Sequence, residues 1–83
     1  MQIKVLYFAK SREVAGVNEQ TFELGDGAHT EDLLAQIIAA HPALDSVMKT
    51  CVFALNQEYV RPQDKEALKD GDEVAIIPPL SGG

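Results

Sequence analysis

Eighty-three residues make one domain, and 46% hydrophobic residues are enough for a core and argue against disorder. Thirteen acidic residues against seven basic ones leave a net charge of −6. This opposes nucleic-acid binding, since phosphate contacts need clustered Lys and Arg, and it suggests a basic protein partner or simply solubility. The single cysteine, Cys51, excludes an intrachain disulfide and any Cys-rich zinc or four-Cys iron–sulfur site. No apolar run is long enough to cross a membrane, and MQIKVLYFAK lacks the features of a signal peptide, so a cytoplasmic protein is expected.

Residues 3–8 alternate as a strand, with Ile3, Val5 and Tyr7 on one side and Lys4, Leu6 and Phe8 on the other. Lys10 to Gly16 predicts one short helical turn, capped at its start by Ser11 and at its end by Gly16. Glu19 to Leu24 predicts a second strand, and the two strands a hairpin. After the break at Gly25-Asp26-Gly27, Thr30 is placed to cap a helix, with Glu31 and Asp32 at its electropositive start. Leu33, Leu34, Ile37, Ile38 and His41 form its apolar stripe, and His41-Pro42 ends it. Pro42 to Met48 predicts a further short turn with Leu44, Val47 and Met48 inward.

Cys51 to Leu55 reads as a third strand, Asn56-Gln57 as a turn and Glu58 to Val60 as a short returning strand. Lys65 to Leu68 is expected to make a helical turn, Asp70-Gly71-Asp72 a tight turn, and Glu73 to Ile77 the last apolar strand. Pro78-Pro79 stops the sheet, because proline cannot donate a ladder hydrogen bond. The first and last strands are the most apolar and are expected side by side at the centre of a mixed sheet. The fold class is therefore α+β: a ubiquitin-like β-grasp roll with one main helix across the sheet, a body over residues 1–79 and an extended tail over 80–83.

The tail Leu80-Ser81-Gly82-Gly83 is thin, and Pro78-Pro79 hold the segment before it extended. Fully extended, Leu80 to Gly83 reach roughly 13–14 Å, enough to thread a narrow channel. The α-carboxylate at its tip is ionised at neutral pH. It is a poor acyl donor as it stands, but it can attack the α-phosphate of ATP to give an acyl-adenylate with AMP as the leaving group. The activated carbonyl can then accept sulfur, giving a thiocarboxylate, or an amine, giving an isopeptide. The chain has no Walker loop, so another enzyme must supply that step.

The stretches VLYFAKSREVAG (5–16), HPAL (41–44), FALNQEYV (53–60) and GDEVAIIPPLSGG (71–83) resemble the family of molybdopterin synthase small subunits, sulfur carriers of molybdenum cofactor biosynthesis. The opening F-A-x-x-R-E and the closing G-D-E-V-A-x-x-P-P-x-S-G-G together are specific; a terminal Gly-Gly alone is not. The resemblance implies that an adenylating enzyme similar to ubiquitin-activating enzymes activates Gly83, using ATP. A sulfur donor system then converts Gly83 to the thiocarboxylate. The chain would be non-catalytic alone and would bind no cofactor. It would dock on the large synthase subunit, as part of a heterotetramer, and pass sulfur to cyclic pyranopterin monophosphate. Gly82, Ser81, Leu80, Pro79 and Pro78 would thread the tail into the large subunit, and Phe8, Arg12, Tyr59 and Ile77 would form the docking patch. Tyr59 stands where the family leads one to expect an aliphatic residue.

His29 and His41 are too few and too badly spaced for a metal site, and none is expected; His41 is placed to favour the helix end as a cation. Cys51 reads as a small buried hydrophobe, with a persulfide as its functional alternative. Asp70, Asp72 and Glu73 read as a solvated turn. Three other functions remain open: a thiamin-type sulfur carrier, a ubiquitin-like modifier joined to lysines, and a plain interaction module.

Overall fold

The computed structural model describes residues 1–60 and 64–78. The first alternating run becomes β1 (Gln2–Tyr7), with Ile3, Val5 and Tyr7 buried. It is followed by α1 (Ala9–Ala15), β2 (Glu19–Glu23), α2 (Thr30–Ala40) and α3 (Leu44–Met48). Then come β3 (Val52–Leu55), β4 (Glu58–Val60) and β5 (Glu73–Ile77). The strands lie in the order β2-β1-β5-β3-β4. β1 and β5 run parallel in the middle, and the other neighbours pair antiparallel. This is the mixed sheet expected from the two most apolar strands.

One face of the sheet carries Ile3, Val5, Tyr7, Phe22, Phe53, Val60, Val74 and Ile76, which join Leu33 and Ile37 of α2 and Leu44 and Met48 of α3 in a single core. Val14 and Ala15 of α1 pack against its edge. The stripe expected on α2 is present, with Leu33 and Ile37 fully buried and Leu34 and Ile38 half-buried at its margins.

Local boundaries differ from expectation where caps and long-range hydrogen bonds decide them. β1 stops at Tyr7, and Phe8 is the N-cap of α1, in an extended conformation. Ser11 is therefore the third helical residue rather than the cap, and its hydroxyl reaches back to Phe8. The N-cap of α2 is likewise His29, not Thr30, and its N–H donates to the Asp32 carboxylate at 2.8 Å. Gly16 does close α1, in the left-handed conformation, with its N–H on the Arg12 carbonyl.

Lys65 to Leu68 do not form a helical turn. Thr30 N–H donates to the Glu66 carbonyl, Leu68 N–H donates to the Ala28 carbonyl, and Ala67 bridges His29. Backbone groups committed across to another segment are not left for bonds four residues back. The buried Thr30 hydroxyl completes this seam with the Asp64 carbonyl and the Glu66 N–H. Cys51 is buried just before β3 and Leu24 just after β2, each one residue outside the strand expected to hold it. At Asn56-Gln57 both φ angles are positive, as a two-residue hairpin of type I′ requires.

A candidate docking face at the root of the tail

Among the described residues no helix covers the second face of the sheet. Paired residues share a face, so the register defines its rows. Leu6 stands beside Ala75, Ala75 beside Ala54, and Ala54 beside Tyr59, giving one apolar row across four strands. The neighbouring row holds Ile77 beside Val52. Phe8 follows Tyr7 in an extended conformation, and Tyr7 pairs with Ile76, so Phe8 continues the alternation of Lys4 and Leu6 onto this face beside Ile77.

Exposure fits a surface short of a cover. Phe8 is 44% exposed and Tyr59 66%, and Leu6, Val52, Ala75 and Ile77 are only half-buried. Phe8 and Tyr59 stand at the two sides of the patch, three strand spacings or roughly 14 Å apart. The small side chains of Ala54 and Ala75 lie between them. Apolar positions contiguous over that span are a usual mark of an interaction surface.

Charge borders the apolar row on the same face: Glu19 on β2 stands beside Leu6, and Lys4 and Glu73 lie in the next row. Lys4 pairs across the ladder with Thr21 and Glu73, and its ammonium lies 2.9 Å from Glu19. The hydrogen bond to Glu19, together with that residue's charge, raises the Lys4 pKa above its ordinary value.

Three of the four expected docking residues, Phe8, Tyr59 and Ile77, thus share this face. Arg12 is exposed on α1, one helical turn beyond Phe8. Leu6, Val52, Ala54 and Ala75 complete the patch and were not singled out from the sequence. Alternation already put Leu6 on the side of Phe8, whereas the alanines become part of a row only through strand register. Pro78 follows Ile77 directly and is half-buried. Pro79, Leu80, Ser81, Gly82 and Gly83, the remaining expected tail residues, lie outside the described residues.

Other candidate groups have structural surroundings. Cys51 is buried, and burial pushes its thiol pKa up, with a weaker opposing effect from a hydrogen bond with Thr50. The reactive thiolate is correspondingly disfavoured. His41 follows the last residue of α2, and its Nε2 lies 2.8 Å from Gln20 Oε1, which also accepts the Tyr7 hydroxyl. Among the described residues no three His, Cys, Asp or Glu side chains are grouped to hold a metal ion, and no helix is long and apolar enough to cross a membrane.

The chain is similar to known proteins over nearly its whole length. The sequence pattern of the ThiS family matches residues 5–83. The human molybdopterin synthase sulfur carrier subunit is 43% identical, over 99% of this chain and 94% of its own length. A Pyrococcus furiosus protein described as subunit 1 of a molybdopterin converting factor superposes with a TM-score of 0.85 at 35% identity, over 96% of this chain and 99% of its own. SAMP1 of Haloferax volcanii, a small archaeal modifier protein, superposes with a TM-score of 0.87 at 31% identity, over the whole of both chains.

Proposed function

This chain belongs to the ThiS family, and from that premise we propose that it is the sulfur-carrier subunit of a molybdopterin synthase. The observation that carries the reading is the apolar row on the uncovered face of the sheet, which borders the strand end from which the chain runs on to Gly83. A partner seated over Phe8, Ile77 and Tyr59 would meet the tail at its root. Docking and delivery would then be one event. Full-length likeness to carrier subunits from human and Arabidopsis thaliana supports the same assignment.

In this reading the Gly83 carboxylate attacks the α-phosphorus of ATP on a separate adenylating enzyme, and pyrophosphate leaves. A sulfur donor system supplies the nucleophile that displaces AMP, leaving a thiocarboxylate. Gly82, Ser81, Leu80, Pro79 and Pro78 carry that group into the large synthase subunit, where it gives sulfur to cyclic pyranopterin monophosphate. Two deliveries make the dithiolene. The chain supplies the docking face and the acyl terminus, while the large subunit supplies the active site.

The test is mass spectrometry of the C-terminal peptide after incubation with adenylating enzyme, ATP and a sulfide source. One oxygen replaced by sulfur at Gly83 is the expected result. The peptide must be isolated, because oxidation of Met1, Met48 or Cys51 changes the intact mass almost identically. A carboxylate left unmodified by a competent adenylating enzyme would overturn the assignment. Likeness to the archaeal modifier protein favours one second reading, conjugation of Gly83 to lysines of other proteins. Isopeptide-linked adducts in place of sulfur transfer would establish it.

A further inference from the structure

Phe8 poses a local problem. It is a large apolar side chain held partly in water at the junction of β1 and α1. The junction immobilises it in two ways. The Ser11 hydroxyl, itself buried, donates to the Phe8 carbonyl at 2.7 Å and accepts from the Phe8 N–H at 3.1 Å. One side chain thus holds both backbone groups of a single residue. The next residue, Ala9, turns the chain with a φ of 52°, a left-handed conformation that is unfavourable for any residue with a Cβ.

An ordinary helix start needs only part of this. A side-chain oxygen at the third helical position can accept from the N-cap N–H without any left-handed residue, and the cap of α2 forms that way, through the Asp32 carboxylate. Unfavourable backbone conformations persist where the surroundings over-determine them, and they gather at functional positions. The exposed residue that this junction orients is Phe8. Arg12 lies one turn further on the same helix and is fixed by the same first turn.

We propose that Ser11 and Ala9 are positioning residues that hold the Phe8 ring on the open face in the conformation its partner takes up. The inference rests on the docking role of Phe8 argued above and adds the device that pre-organises it. A side chain already held in its bound conformation loses less freedom on association.

The experiment is a double-mutant cycle of S11A and F8A, read as Kd for the purified large subunit of molybdopterin synthase. F8A is expected to weaken binding, S11A to weaken it on the order of fivefold, and S11A to change Kd by less than about twofold once Phe8 is removed. An unchanged Kd for S11A, or an equal loss with and without Phe8, overturns the proposal; equal losses are what general destabilisation would give. An unchanged Kd for F8A overturns the docking reading itself, and the proposal with it. If S11A does not fold, Ala9→Gly takes over, since glycine occupies the left-handed region without strain. That variant is expected to bind several-fold more weakly with an unchanged or raised Tm, and a wild-type Kd for it overturns the proposal.

Discussion

Tyr7 is the residue on which three segments converge. Its ring is buried in the core, its hydroxyl donates to Gln20 Oε1 at 3.0 Å, and His41 stands edge-on to it with ring centroids 5.8 Å apart. Because Gln20 Oε1 accepts from Tyr7, the 2.8 Å contact with His41 is satisfied when Nε2 of His41 carries the proton. Burial pushes the Tyr7 pKa up to about 12. The folded state therefore keeps a proton that the unfolded chain loses near its ordinary value of about 10. The stability this gives is complete below about pH 10 and falls as pH rises from there through about 12, by at most about 2–3 kcal/mol. Tyr7→Phe has no proton to lose. The stability difference between wild type and Tyr7→Phe, from urea midpoints at about pH 9 and about pH 11, should shift toward the variant at the higher pH. Parallel losses in the two proteins would show that Tyr7 titrates in the folded state as it does in the unfolded chain. Strand alternation was enough to place Tyr7 inward. Its partnership with Gln20 and His41 was not legible, because it joins residues 13 and 21 positions apart through the tertiary fold.

At the scale of elements, the strands were readable and the caps were not, for a reason both main helices share. Sequence rules look for an N-cap whose side chain carries an oxygen, and so they select Ser11 and Thr30. The observed N-caps, Phe8 and His29, make no side-chain capping bond. Each helix uses the returning half of a capping box instead: a side chain at the third helical position, Ser11 or Asp32, accepts from the N-cap N–H. Asp32 also places its charge in the first turn, next to Glu31, where the helix dipole favours an anion. Asp32→Ala removes both effects and should lower stability by about 1 kcal/mol, read as a lower urea midpoint with an unchanged slope. Thr30→Ala would be the more costly variant if Thr30 were a simple cap. Its actual cost should come from the seam with residues 64–66, where a buried hydroxyl bonds to the backbone. That seam also explains the expected helical turn at Lys65 to Leu68 that does not form: local pattern favoured a turn, and hydrogen bonds to Ala28 and Thr30 overrode it.

For the whole molecule, the two faces of the sheet differ in what they carry. The face under the helices holds the core, so mutations there act on folding. The open face carries a row that only the register β1-β5-β3-β4 assembles, from residues as distant in sequence as Leu6 and Tyr59. Its alternating strands were legible; its alanines became part of a surface only once the strands were paired. In the proposed reading the open face docks the partner, and the tail beyond β5 supplies the chemistry. Docking and acyl chemistry should therefore separate by mutation. Phe8→Asp puts an uncompensated charge where the partner's apolar surface would cover it, and Kd for the large subunit should rise at least about tenfold, or about 1.4 kcal/mol. A single alanine appended after Gly83 should leave both Tm and that Kd near wild type, yet abolish thiocarboxylate formation, because the activated carbonyl would no longer be that of Gly83. Phe8→Asp whose terminus is converted to the thiocarboxylate chemically should still deliver sulfur once the large subunit is raised above the weakened Kd. Failure at saturating large subunit would mean that Phe8 helps to direct the tail as well as to bind. The open face would then be a guide for the carrier's terminus rather than only its anchor.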